Sequence, residues 1–142
     1  MQGTPIQNYL YNFTLRVTFH ADGSEPDFQL FFDGKAIKTI EIDDYMATLV
    51  FQLQAVFDGI QSPGTAVYGT QFQWLDLNGA PVNSPDAIHF IRMSDNNVTM
   101  TDCNTLQNGE VNSVFRFLFS VVYQGRQYSS HDPIIINKKP PA

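Results

Sequence analysis

His20, His89, His131 and Cys103 are the side chains of this chain best suited to bind a metal or move a proton. Three imidazoles can hold a metal or act as general bases, but either task needs partners at short spacing. None of the three has a second His at i+2 or i+4. His20 continues the polar side of an alternating segment and is expected at its exposed end. His89 stands between Ile88 and Phe90 in an apolar stretch. His131 and Asp132 are neighbours, so an extended chain points their side chains apart and forms no base-orienter pair. Surface or hydrogen-bonded structural histidines are the preferred reading. A metal-dependent or hydrolytic enzyme built on His20, His89 or His131 is the alternative.

The carboxylates gather at Glu41, Asp43 and Asp44, and again around Asp95-Asn96-Asn97 and Asp102. Calcium needs several oxygens converging on one point, and neither group follows the spacing of a calcium loop. Solvated loop faces are expected there, and no metal. Cys103 lies in the acidic stretch Thr101-Asp102-Cys103-Asn104. A neighbouring negative charge raises a thiol pKa, which disfavours a nucleophile. No G-x-S-x-G elbow and no glycine-rich phosphate loop is present, so neither a catalytic residue nor a cofactor is expected. Trp74 with Tyr9, Tyr11, Tyr68 and Tyr128 would make a sugar-stacking platform, but Trp74 alternates in phase with Phe72 and reads as core.

The elements that must position these residues are strands. Five Asx-Gly pairs divide the chain: Asp22-Gly23, Asp33-Gly34, Asp58-Gly59, Asn78-Gly79 and Asn108-Gly109. Such pairs enter the left-handed backbone region readily and make the turns between antiparallel strands. Phe13, Leu15, Val17 and Phe19 alternate with polar residues, as do Phe28, Leu30 and Phe32. Ile37, Ile40 and Ile42 break strict alternation, so a bulge or irregular edge is expected. Residues 45–57 are ambiguous. A strand puts Leu49, Phe51, Leu53, Ala55 and Phe57 on one face, whereas a helix aligns Tyr45, Leu49, Leu53 and Val56 but leaves Phe51 outside the stripe. The strand is preferred. Residues 87–93 and 98–103 resemble a hairpin, and Val114 to Tyr123 is apolar on both faces, as befits a central strand or one that meets a partner. The expectation is an all-β, antiparallel sandwich of about eight or nine strands, a single domain over residues 1–142 with a Lys/Pro tail at 138–142.

At 142 residues, 43% of them hydrophobic and 12 of them Phe, the chain can bury a large aromatic core. Its formal net charge of -6, with basic residues scattered, argues against nucleic acid and against anionic membranes. No apolar run reaches the ~20 residues of a membrane span. Cys103 is the only cysteine, which excludes an intrachain disulfide and favours a reducing compartment. Met1 to Gln7 show no basic segment leading into an apolar one, so no signal peptide and a cytoplasmic location are expected.

The stretch Tyr128-Ser129-Ser130-His131-Asp132-Pro133-Ile134-Ile135-Ile136-Asn137, together with Val98 to Asn104 and the apolar strand before Tyr128, resembles the DP-EP family of uncharacterised bacterial proteins. The chain has Lys139-Pro140 where that family has its EP element. The resemblance implies an Ig-like sandwich and transfers no catalytic residue. From the residues themselves, Pro133 holds Asp132 extended, and Ser129, Ser130 and Asp132 can bond nearby backbone amides, with Asp102 and Asn104 doing the same for a facing loop. The cluster Asp102, Asn104, Ser129, Ser130 and Asp132 therefore reads as a structural clasp, or else as a small polar pocket. A non-enzymatic binding or assembly module, associating with a protein partner or with itself, is the functional expectation. A phage or secretion-apparatus subunit is a further alternative.

Overall fold

Phe13, Leu15, Val17 and Phe19 are all buried, while the residues between them are half-buried or exposed. That period of two is the strand signature expected from the sequence. The computed structural model describes residues 8–43, 46–61, 64, 67–94, 96–103, 113–130 and 134–137. Among the described residues there are twelve strands and no helix. In chain order they are β1 (Asn8–His20), β2 (Asp27–Phe32), β3 (Lys35–Ile37), β4 (Thr39–Ile42), β5 (Met46–Asp58) and β6 (Tyr68–Leu75), then β7 (Pro81–Val82), β8 (Ile88–Ser94), β9 (Asn97–Cys103), β10 (Ser113–Tyr123), β11 (Arg126–Ser129) and β12 (Ile134–Asn137).

They form two sheets, ordered β3-β2-β1-β5-β9-β8 and β4-β12-β10-β6-β7, with β11 also paired to β10. The fold is thus an all-β sandwich. It is more finely divided than eight or nine strands, because the segment after Asp33-Gly34 splits into two. Ile37 stays in the first sheet, and Ile40 and Ile42 are buried in the second, so the chain changes sheets at Lys38. That crossing is why Ile37, Ile40 and Ile42 break alternation.

Residues 46–58 are a strand. β5 lies between β1 and β9 and buries Ala47, Leu49 and Phe51. The sandwich is not wholly antiparallel, however. β1 runs parallel to β5 over its whole length, and β12 runs parallel to β4. Three strands intervene between β1 and β5, and the crossing at Lys38 returns the chain in the same direction.

Two turns need positive φ at two successive residues, the type I′ geometry that suits a tight hairpin. Asp33 (φ 50°) and Gly34 (φ 77°) join β2 to β3, and Gln124 (φ 53°) and Gly125 (φ 74°) join β10 to β11. Gln124-Gly125 does the work expected of Asx-Gly, while Asn108-Gly109 lies outside the described residues.

The sheets meet through aromatic rings. Phe51 and Phe117 meet edge to face at 5.3 Å, and Phe117 also touches Phe72 at 4.9 Å and Trp74 at 5.7 Å. A cavity of about 10 Å³ lies between Leu15, Phe51, Leu53, Val98, Phe117 and Phe119. With that volume and an apolar lining it stays dry and holds no ligand. Phe117→Ala, which removes the ring common to these contacts, is expected to cost about 3–5 kcal/mol. Urea denaturation should show this as a lower midpoint at unchanged slope.

Candidate functional site

Ser130 is buried at the point where β10 changes partners. β12 pairs with the first half of β10, up to Arg116, and β11 pairs with its end, from Ser120. Between these ladders Phe119 has no strand partner on that side among the described residues. The Ser130 amide donates to the Phe119 carbonyl at 2.9 Å, and the Phe119 amide donates to Ser130 Oγ at 2.9 Å. One serine therefore replaces a missing rung by using its hydroxyl where a strand would offer a carbonyl. One residue earlier, the exposed Ser129 shares a hydrogen bond with the buried Ser120 hydroxyl at 2.7 Å. On the opposite side of β10 the pairing with β6 slips at Ser120/Val121. The serines close an irregular stretch of ladder, and their geometry is that of a clasp. Asn104, His131, Asp132 and Pro133 lie outside the described residues.

Asp102 is not part of this clasp. It continues the inward face of β9 after Val98 and Met100 and is fully buried, in register with Ala47 and Ile88. The contacts Phe51–Phe117 and Phe57–Tyr123 show that β5 and β10 run the same way. Phe51 is in register with Val98. Asp102 lies four residues beyond Val98 toward one end, and Phe119 lies two beyond Phe117 toward the other. At ~3.3 Å per residue, about 20 Å of strand separates Asp102 from Ser130. Asp102 and the serine pair Ser129–Ser130 therefore do not share one pocket. Next to it, Cys103 is half-buried, and its thiol pKa is raised by burial first and by Asp102 second.

Trp74 is buried against Phe72, Phe115 and Phe117, all approached edge-on. It is core and not a sugar platform, and its indole Nε1 has no hydrogen-bond partner among the described residues. His89 is exposed on β8, where the pairing with β9 shifts between Ile88 and Phe90.

His20 is different. Its Nε2 lies 2.8 Å from Asp27 Oδ2, and its Nδ1 lies 3.6 Å from Asp58 Oδ2. Its pKa is raised, chiefly by the hydrogen bond to Asp27, with desolvation opposing and Asp58 assisting. In the adjoining turn Asp22 accepts hydrogen bonds from the Ser24 hydroxyl at 2.7 Å and the Ser24 amide at 2.9 Å, which lower its pKa. The sequence placed His20 at a strand end but missed its carboxylates, which come from β2 and β5. Knowing that β1 and β5 pair in parallel would have found one of them, since His20 is in register with Asp58. The carboxylates surround the ring and share no common centre. Among the described residues no group of three or more His, Cys, Asp or Glu is arranged to hold a metal ion.

Two outcomes follow from the clasp and the cysteine. Ser130→Ala leaves the buried Phe119 amide unpaired and is expected to cost about 1–3 kcal/mol in chemical denaturation, more than Ser129→Ala. Cys103 should react slowly with iodoacetamide at neutral pH in the native protein and much faster in denaturant, read by mass spectrometry.

No family model matches the chain, and no curated protein does.

Proposed function

We propose that this protein is a non-enzymatic binding or assembly module on an Ig-like sandwich. The strand order supports the Ig-like reading. β5, β9 and β8 stand as strands B, E and D, facing β6, β10 and the broken β11–β12 as C, F and G. β7 lies beside β6, and Trp74 is buried on β6, where such domains carry their core tryptophan. β1 to β3 are then an addition that extends the B edge.

The observation that carries the assembly reading is the outer face of the second sheet. The first sheet's outer face is mostly polar, with Thr14, Thr18, Thr48, Gln52, Gln54 and Thr99, and also carries Leu10, Val50 and Val56. The second leaves Val114 42% exposed and Leu77, in the turn after β6, 69% exposed. Leu75 and Leu118 are half-buried on the same side, and Arg116 lies among them, donating to the Leu77 carbonyl at 2.9 Å. An apolar patch interrupted by Arg116 and Gln73 has the mixed composition of an interface.

The strand edges make addition of a foreign strand a poorer route. β3 is three residues long and starts with Lys35, β4 is four residues long, β7 is two residues long and starts with Pro81, and β8 carries the irregularity at His89. This reading keeps the bacterial, DP-EP-like, cytoplasmic setting as the expected context, supported by the single unpaired cysteine. A phage or secretion-apparatus subunit is one form such a module takes. The enzyme reading has less to stand on, since both nitrogens of His20 already face carboxylates and His89 stands exposed at an edge.

Self-association through this face, most simply as a two-fold dimer, is the expected outcome. Light scattering at rising concentration should give a mass above one chain. Val114→Arg with Leu118→Arg should return it to one chain without loss of the β circular dichroism spectrum. A clean monomer at high concentration overturns self-association.

A further inference from the structure

We propose that His20 is a proton-operated latch: its charged ring ties the β1–β2 turn and β2 to the end of β5, and loss of the proton releases that end of the sandwich. A neutral imidazole carries one N–H, and a protonated one carries two. Here each ring nitrogen faces a carboxylate, Asp27 at 2.8 Å and Asp58 at 3.6 Å. Whichever neutral tautomer forms, one nitrogen presents its lone pair to a carboxylate oxygen. Only the charged ring suits both neighbours.

The surrounding charges point the same way. Among the described residues the groups at this end are Asp22 in the turn, Asp27 on β2 and Asp58 on β5, all negative. The second sheet brings Tyr123, whose ring packs on Phe19 and Phe57, and Arg126, which pairs with Glu25 of the turn at 3.4 Å. No second cation stands beside the ring among these groups, so the histidine proton is the charge that offsets Asp22, Asp27 and Asp58.

What the latch holds is also defined. The Ala21 amide donates to the Asp58 carbonyl at 3.1 Å, fixing the start of the turn to the end of β5. Glu25 and Arg126 then link the turn to the β10–β11 hairpin in the other sheet. The turn therefore spans both sheets, and His20 anchors one side of it. Its release leaves the exposed Glu25–Arg126 pair and the backbone hydrogen bonds Ala21–Asp58 and Gly23–His20 to hold the turn at the end of the β1 ladders. Connections at the end of a rigid sandwich are where binding contacts concentrate. The latch sets how ordered they are.

The raised pKa fixes the sign. The folded state favours the charged ring, so the stabilising contribution is complete below the unfolded value of 6.5 and is lost as pH rises through the raised folded value. The test is a nuclear magnetic resonance titration of the His20 ring with native-state hydrogen exchange at Ala21 and Ser24. The ring should titrate above 6.5, and Asp27→Asn should lower it more than Asp58→Asn, following the shorter contact. Protection at Ala21 should fall roughly two- to fivefold as the ring loses its proton, the scale of an exposed ion pair, and should stay level in His20→Gln. A ring titrating at or below 6.5 overturns the proposal. So does a protection profile in the native protein that matches His20→Gln.

Discussion

Phe51 on β5 and Phe117 on β10 meet edge to face across the space between the sheets, and most of the fold is organised around that contact. Phe13 stacks on Phe51 from β1 at 5.0 Å, and Phe72 and Trp74 close on Phe117 from β6. Farther along, Phe19 on β1 and Phe57 on β5 meet Tyr123 on β10 at 4.5 Å and 5.4 Å. Stacked sheets lie ~10 Å apart, a gap that interlocking rings fill well. Because the interior is packed in this way, polar chemistry is displaced to the ends and outer faces. Of the buried polar residues, Asp102 and Ser120 sit on strands and Ser130 directly follows β11, with both serines where the ladder of β10 becomes irregular.

Much of this was legible in the sequence, and the failures have physical causes. The alternation of Phe13 to Phe19 and of Phe115 to Tyr123 marks strands because one side chain in two must face the core. Residues 46–58 were harder, since Val50 and Val56 occupy an outer face partly covered by neighbouring strands and blur the period. The crossing at Lys38 left only a disturbed isoleucine spacing. The parallel pairings left no local trace, because strand direction depends on how many segments intervene and not on any one of them.

The candidate site divides along the same line. Ser129 and Ser130 lie at the strand break that a clasp requires, within hydrogen-bond reach of their own strand neighbours. Asp102 was assigned to the same cluster from its type, yet it follows Val98 and Met100 in phase, which is the signal for an inward position. Asp27 and Asp58 were passed over because each sits in its own segment, and only the assembled sheet brings them to one imidazole.

The parallel pairing of β1 with β5 has a consequence for how the chain folds. Residues paired in that ladder are 38 positions apart, as Arg16 and Gln54 illustrate. A hairpin such as β2–β3 forms as soon as its few residues exist, but β1 has to wait for β5 before its second edge is satisfied. Closing loops of that length before any contact repays them slows folding and keeps strand edges open meanwhile. On a ribosome, β1 would emerge well before its partner, with Phe13, Leu15, Val17 and Phe19 still uncovered. That interval is when this protein is most exposed to aggregation and most dependent on chaperones.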